Sequence, residues 1–155
     1  MRAFLCAFGS FSVAIPMDAI SSLFLLTDQA VQSRAIEYNA ENKSISVSLL
    51  QLFGFPPENA QHGIVLKNNY DAEYLGNDSN TIILLSTEVE REIDIPNDEI
   101  YSVPSIFNYA RFSILFSGIR FAPLQQPMDL GSTTCPIFIL NAERLIQWLY
   151  KEAAL

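Results

Sequence analysis

The sequence predicts a mainly β fold made of two similar β units with a C-terminal helix, and three observations lead to that prediction. Apolar and polar side chains alternate along several short segments, as at 11–15, and a period of two is typical of a strand with one buried face. A segment of strand, proline and aspartate occurs twice. The apolar stripe of Leu145, Ile146 and Leu149 near the C-terminus has helical spacing.

The repeated segment is Ile-Pro-Met-Asp at 15–18, which returns as Ile-Pro-Asn-Asp at 95–98, an offset of 80. In each copy the proline removes a ladder donor and ends the strand. We expect the aspartate, Asp18 or Asp98, to cap a turn or short helix. The two copies are therefore predicted to occupy equivalent positions in two related units.

Two weaker matches follow the first in the same order along the chain. Residues 35–38 match 118–121 at an offset of 83, and residues 47–53 match 140–146 at an offset of 93. The growing offset is attributed to an extra loop at 122–132, which is rich in proline and glutamine. Coincidence among common strand and turn residues remains the alternative to duplication.

The chain begins with a predicted hairpin, in which Gly9-Ser10 joins strand 2–8 to strand 11–15. Residues 23–33 are interpreted as a short helix and loop, and 49–53 as one helical turn. Glycine and proline at 54–57 indicate a boundary loop reaching about residue 61, and 68–80 is expected to be an exposed excursion. Asn141 is expected to cap the terminal helix. Further strands are predicted at 35–39, 44–47, 63–67, 81–85, 88–95, 112–116, 119–121 and 135–140.

Composition limits the class of protein. The chain has 155 residues, half of them hydrophobic, including 11 Phe, which excludes disorder. The net charge is −8 with scattered Lys and Arg, which argues against nucleic-acid binding. Apolar runs are too short to span a bilayer, so we expect no membrane insertion and a cytoplasmic location rather than a cleaved leader at the start of the chain.

No motif predicts catalysis. His62 is the only histidine, it falls in the predicted boundary loop, and no Gly-x-Ser-x-Gly elbow accompanies it. Cys6 and Cys135 lie on apolar strands, where they are expected to be core residues with no required disulfide. Zinc-site spacings and phosphate-binding glycine loops are missing from the sequence. We therefore predict no enzyme, no metal and no cofactor.

The alternating acidic residues of 88–94 were considered as a metal site. Alternate residues on one strand are about 6.6–6.8 Å apart, too far for four carboxylates to share one ion. The segment is therefore predicted to be a solvated face or a charged sheet edge.

The ordered pieces together resemble the CheW-like domain of bacterial chemotaxis. The segments that carry the resemblance are 4–8, 11–16 with Ile20, 45–54, 92–100, 103–104, 117–119 and 136–145. The resemblance implies two small SH3-like β-barrels that share a core within one domain, 1–155. We place the first barrel at roughly 11–56, the second at roughly 62–140, and the terminal helix at 141–152.

The polar signature of that family is altered here. Ala40 stands where the family has a receptor-binding arginine, and Glu41 stands in place of the following glycine. The other departures are Ile45 for a proline, Ser48 for an aspartate and Thr87 for a second aspartate. The core pattern is kept while these positions differ, which is expected if the fold is retained and receptor coupling is changed.

The leading functional prediction is a non-catalytic adaptor that couples a chemoreceptor to a CheA-type histidine kinase. The predicted partner-binding residues are Tyr38, Asn39, Glu41, Lys43 and Phe55. A small-molecule or peptide-binding β-barrel is the alternative, since the aromatic residues could line a cavity. An enzyme is the third possibility.

Overall fold

The computed structural model describes the backbone of residues 1–30, 34–68, 80–103, 115–123 and 134–151, and the side chains of these residues except 27–30, 122–123 and 134–135. The strands are β1 (Arg2–Phe8), β2 (Phe11–Pro16), β3 (Ile20–Ala30), β4 (Ile36–Asn39), β5 (Ser44–Val47), β6 (Ala60–Leu66), β7 (Thr81–Ser86), β8 (Glu88–Asp94), β9 (Phe116–Pro123) and β10 (Thr134–Leu140). The helices are α1 (Leu49–Leu52), α2 (Ala142–Lys151) and two single 3-10 turns, Met17–Ala19 and Asn97–Glu99.

The strands form two sheets of five. Sheet A has the order β8-β1-β2-β10-β9, and sheet B has the order β3-β6-β7-β5-β4. Each sheet contains one parallel pair, β2 with β10 and β5 with β7, and every other neighbouring pair is antiparallel. The two sheets therefore repeat one pattern, in which β1, β2, β8, β9 and β10 correspond to β6, β7, β3, β4 and β5.

This correspondence confirms two of the three sequence matches and corrects the first. The match at an offset of 83 relates residues of β4 to residues of β9, which have equivalent places in the two sheets. The match at an offset of 93 likewise relates the end of β5 to the end of β10. Ile15 and Ile95 are both fully buried and each precedes a proline and a 3-10 turn. However, β2 and β8 flank β1 in the same sheet, so the predicted equivalence of these two segments is wrong. What is repeated there is a local corner.

Sheet B is built from one continuous stretch of sequence, β3 to β7, whereas sheet A is not. Sheet A takes β1 and β2 from the start of the chain and β8, β9 and β10 from its end, while sheet B takes the strands between them. The ranges predicted for two barrels, 11–56 and 62–140, therefore differ from the sheet membership. Strand alternation locates strands but carries no information on which of them pair.

The side chains of sheet A pack on both faces. One face contributes Phe8, Val13, Ile15 and Phe138 to a core shared with sheet B and both helices. The opposite face forms a second, smaller core. Sheet B adds Ile45, Val47, Ile64, Leu66, Ile82 and Leu84 to the shared core. The mainly β fold with a shared core and a C-terminal helix is thus confirmed, although the sheets are not closed barrels.

Three local predictions are wrong. Residues 20–30 form a strand instead of a short helix and loop, because they pair with β6, and that long-range contact is invisible to local patterns. His62 lies in β6 and not in a boundary loop. Asp18 and Asp98 lie inside the 3-10 turns, and neither turn has a side-chain cap.

Other local predictions are confirmed. The Asn141 side chain accepts a hydrogen bond from the Arg144 amide at 3.0 Å, which caps α2 as expected. The four acidic side chains of β8 are exposed, and β8 is an edge strand. Cys6 is free and completely buried. The side chain of Cys135 and most of the predicted excursion 68–80 and loop 122–132 lie outside the described residues.

No helix in the described part of the chain is both long enough and apolar enough to cross a membrane.

Candidate functional site

The hairpin of β4 and β5 is held by hydrogen bonds from its own turn residues. Asn39 Oδ1 accepts from the Glu41 amide at 3.0 Å, and Asn42 Oδ1 accepts from the Ser44 hydroxyl at 2.6 Å. Lys43 follows with a φ of 48°, a left-handed conformation that side-chain-bearing residues rarely adopt. These two hydrogen bonds and the left-handed Lys43 together close the turn between β4 and β5.

A pocket of about 590 Å³ lies beside this hairpin on one face of sheet B. Residues 37–42 of the hairpin line it, together with Ser44 and Ser46 of β5. Phe24 and Leu26 of β3, with Ile83 and Leu85 of β7, complete its lining. We call it the hairpin pocket. Its volume falls within the range of about 300–1,000 Å³ that is usual for ligand sites.

The register of the sheet explains why these residues meet. Ser46 pairs with Glu37 on one side and with Ile83 on the other, so the three occupy neighbouring positions in one row across the strands. On the opposite face, Ile45 and Val47 enter the shared core. Alternation along β5 therefore sends its serines to the pocket and its apolar side chains to the core.

Phe24 occupies its position because β6 has a glycine opposite it. Phe24 pairs with Gly63 across the strands, and a Cβ atom at Gly63 would lie 2.2 Å from Cζ of the Phe24 ring. The ring thus lies over the glycine backbone. This contact forms the aromatic end of the hairpin pocket while leaving the side chain 39% exposed.

The pocket is chemically divided. The β3 and β7 side is apolar, whereas the hairpin side offers the carboxylates of Glu37 and Glu41 with amide and hydroxyl groups. No histidine, cysteine or lysine is among the residues that line it. The arrangement suits binding by apolar contact and hydrogen bonding.

Three of the five predicted partner-binding residues, Tyr38, Asn39 and Glu41, line this pocket. Tyr38 is 54% exposed, so its ring is accessible to a partner. Lys43 belongs to the same turn but not to the lining. Phe55 lies elsewhere, beyond the C-terminal end of α1.

Phe55 belongs to a cluster of aromatic rings between the two sheets. Its ring meets that of Phe11 edge-on at 5.1 Å, and Phe11 lies 6.2 Å from Phe138. Phe53 and Phe116 continue the cluster at a separation of 5.9 Å. Phe55 is 45% exposed, so it forms the accessible end of a series of rings that begins in the core.

The sequence analysis missed the apolar half of the pocket. Ser44 and Ser46 alternate with buried residues, and that alternation would have located them on the non-core face. Ile83 and Leu85 alternate with equally apolar neighbours, so no local signal separates their two faces. Phe24 was missed because β3 was interpreted as helix and loop.

The other titratable residues considered from sequence lie away from the pocket. His62 is on β6 opposite Leu25 and Ser86, and its Nδ1 is buried with no hydrogen-bond partner among the described residues. Burial raises the pKa of the Cys6 thiol to about 12, with a further contribution from the charge of Glu90. Such a thiol is protonated and unreactive at neutral pH.

Comparison with known proteins gives a result at the level of fold. No family model matches the sequence, and no curated protein matches it either. The structure is similar to the crystal structure of the scaffolding protein TtCheW from Thermoanaerobacter tengcongensis, with a TM-score of 0.58 and 12% sequence identity. The match covers 91% of this chain and 85% of that chain. The CheW-like fold predicted from the sequence is thereby confirmed.

Proposed function

We propose that this protein is a non-catalytic adaptor of a cytoplasmic chemotaxis-type signalling system, and that it couples a chemoreceptor to a CheA-type histidine kinase. The observation that supports this proposal is the similarity of fold to a scaffolding protein over 91% of the chain. A pocket lined by apolar, amide, hydroxyl and carboxylate groups suits binding by apolar contact and hydrogen bonding.

The hairpin of β4 and β5 is proposed as the variable recognition element. Glu41 stands where the resembled family has glycine, and Ala40 stands where it has arginine. Loss of a bidentate donor and gain of a carboxylate weaken binding to an acidic surface and favour a basic one. Tyr38 offers an exposed aromatic ring, and buried aromatic anchors commonly dominate interface energy.

Binding to the two proposed partners tests the adaptor function. The regulatory domain of the CheA-type kinase and the cytoplasmic tip of a receptor, both from the same cell as this protein, are titrated separately by isothermal calorimetry. We expect binding to the kinase domain and weaker binding to the receptor tip. If the folded protein binds neither at about 100 µM, a concentration that detects interactions of about 5.5 kcal/mol or stronger, the adaptor proposal is wrong.

Matched variants test the hairpin within that assay. Tyr38→Ala is compared with Tyr101→Ala, because Tyr101 has a similar exposure of 57% and lies outside the hairpin. We expect Tyr38→Ala to weaken binding of the kinase regulatory domain by at least tenfold, since truncation of an anchor residue costs about 2 kcal/mol or more. Tyr101→Ala should leave that affinity unchanged. Equal affinity in both variants would refute only the role of the hairpin.

The hairpin pocket supports the second candidate, a protein that binds a small molecule or peptide. In that case, Ser46→Trp should fill the pocket and abolish binding of a ligand found by thermal-shift screening. It should leave kinase binding intact if the pocket and the kinase surface are separate. A screen that yields no stabilising ligand, together with kinase binding by the native protein, would favour the adaptor.

A further inference from the structure

We propose that the outer edge of β3 pairs with β3 of a second copy of this chain, so that the two copies of sheet B join into one antiparallel sheet about a two-fold axis. This inference concerns self-association and is independent of the proposed adaptor function. It rests on a comparison of the four sheet edges, which all lie among the described strands.

Three of the four edges are protected against pairing. Strand β8 carries four exposed acidic side chains, and like charges discourage edge-to-edge contact. Strand β9 is covered in part by Tyr101, whose amide and carbonyl both bond to Ile119 at 2.9 Å. Strand β4 is only four residues long. Charge, cover and shortness are the usual means of blocking an edge.

Strand β3 has no cover among the described residues, and its one charged residue, Asp28, lies near its C-terminal end. Its register with β6 is regular from Ser22 to Leu25, between two shifts. It has 11 residues, it ends the strand order of sheet B, and the sequence has no charged residue from Ala19 to Thr27. Three consecutive side chains, Leu23, Phe24 and Leu25, are 37%, 39% and 71% exposed. An uncharged and apolar stretch of edge such as 22–25 is a template for another strand.

The occupant that fits this edge is a second copy. An antiparallel pair centred near Phe24 places Leu23 of each copy opposite Leu25 of the other, so the apolar positions match themselves as a two-fold interface requires. The net charge of −8 makes other faces of two copies repel, while 19–27 is neutral. Since only one described edge is free, pairing ends at two copies.

The association state of the full chain tests this proposal. Sedimentation velocity and light scattering over a hundredfold range of protein concentration should show a monomer–dimer equilibrium. Leu25→Lys places a charge at the most exposed of these positions and should weaken dimerisation by at least tenfold. Tyr101→Lys, at a comparably exposed position on the protected edge, is the control and should leave dimerisation unchanged. Circular dichroism confirms that both variants are folded.

Two further readouts separate strand pairing from other contacts. Amides of 20–26 should exchange more slowly with solvent as protein concentration rises in the native chain but not in Leu25→Lys. Higher salt should strengthen the dimer, because it screens repulsion between two acidic chains. A chain that stays monomeric throughout, that forms open-ended oligomers, or whose dimer is indifferent to Leu25→Lys overturns the proposal, and a dimer that salt dissociates does so as well.

Discussion

Sheets A and B share one strand pattern, yet they differ on the face opposite the shared core. In sheet A that face forms the second core, in which Ile137 and Ile139 of β10 are 5% and 1% exposed. In sheet B the equivalent positions of β5 are Ser44 and Ser46, and the face carries the hairpin pocket. The same backbone arrangement therefore supports a packed core in one sheet and a pocket in the other.

The difference has a simple physical origin. Isoleucines at alternate positions of β10 require cover, and the segment after β8 supplies it with Ile95 and Ile100. Serines at the same positions of β5 have hydroxyls that tolerate water, so no comparable apolar cover is needed. Two units with the same strand pattern can thus differ on one face, apolar and packed in one and polar and pocketed in the other.

Exchanging side chains between equivalent positions of the two sheets should give the largest change in the free energy of unfolding. Ile139→Ser removes a buried side chain and places a hydroxyl in an apolar core, so we expect a loss of about 4 kcal/mol in the free energy of unfolding. Ser46→Ile at the equivalent position adds apolar surface to an open pocket and should change it by less than about 1 kcal/mol. Urea denaturation measures both, and similar losses in the two variants would contradict the comparison.

A variant that disturbs the contact of Phe24 with Gly63 should cause an intermediate loss of stability. Gly63→Ala places a Cβ atom within the space of the aromatic ring, so the ring must move, and we expect a loss of about 2 kcal/mol in stability. In the double variant with Phe24→Ala the clash is gone, and the alanine at 63 should then cost little. A double-mutant cycle with no coupling energy would show that the ring does not lie over the glycine.

The buried thiol of the shared core predicts a dependence on alkaline pH. The pKa of Cys6 is about 12 in the folded chain against an ordinary value of 9.0, so between these values the unfolded chain loses a proton that the folded chain keeps. Stability is unaffected below pH 9 and falls as pH rises above it. At pH 10.5 the native chain should have lost about 2 kcal/mol more than Cys6→Ala, each relative to pH 7. Parallel pH profiles would refute this.

The smallest effect is expected at the hairpin turn. Lys43 has a φ of 48°, where a Cβ atom is strained and glycine is not. Lys43→Gly should therefore stabilise the chain by about 0.5–1 kcal/mol. Glu41→Gly, at a position without a positive φ, should destabilise it by a similar amount through backbone entropy. Thermal denaturation compares the two, and a loss of stability in both would indicate that the turn is not strained at Lys43.

Local sequence patterns were sufficient for most elements and for part of the site. The period-two alternation predicted β2 and β8, hairpin turns predicted β1 and β5, and the cap at Asn141 predicted the start of α2. Two weak internal matches identified the equivalent strands β4 with β9 and β5 with β10. Tyr38, Asn39 and Glu41 were predicted as partner-binding residues because the resembled family binds its receptor through this hairpin, and they line the hairpin pocket.

The tertiary structure decided what depends on distant contacts. Strand β3 forms because β6 pairs with it, the Ile-Pro corners at 15 and 95 lie in one sheet because β1 lies between their strands, and Phe55 joins the ring of Phe11 rather than the hairpin. Strand alternation determines which side chains share a face. It does not determine which strands pair, because every residue except proline offers the same backbone N–H and C=O groups. The sequence by itself therefore determined most of the strands, and only the packing of the whole chain decided their partners and brought the residues of the hairpin pocket together.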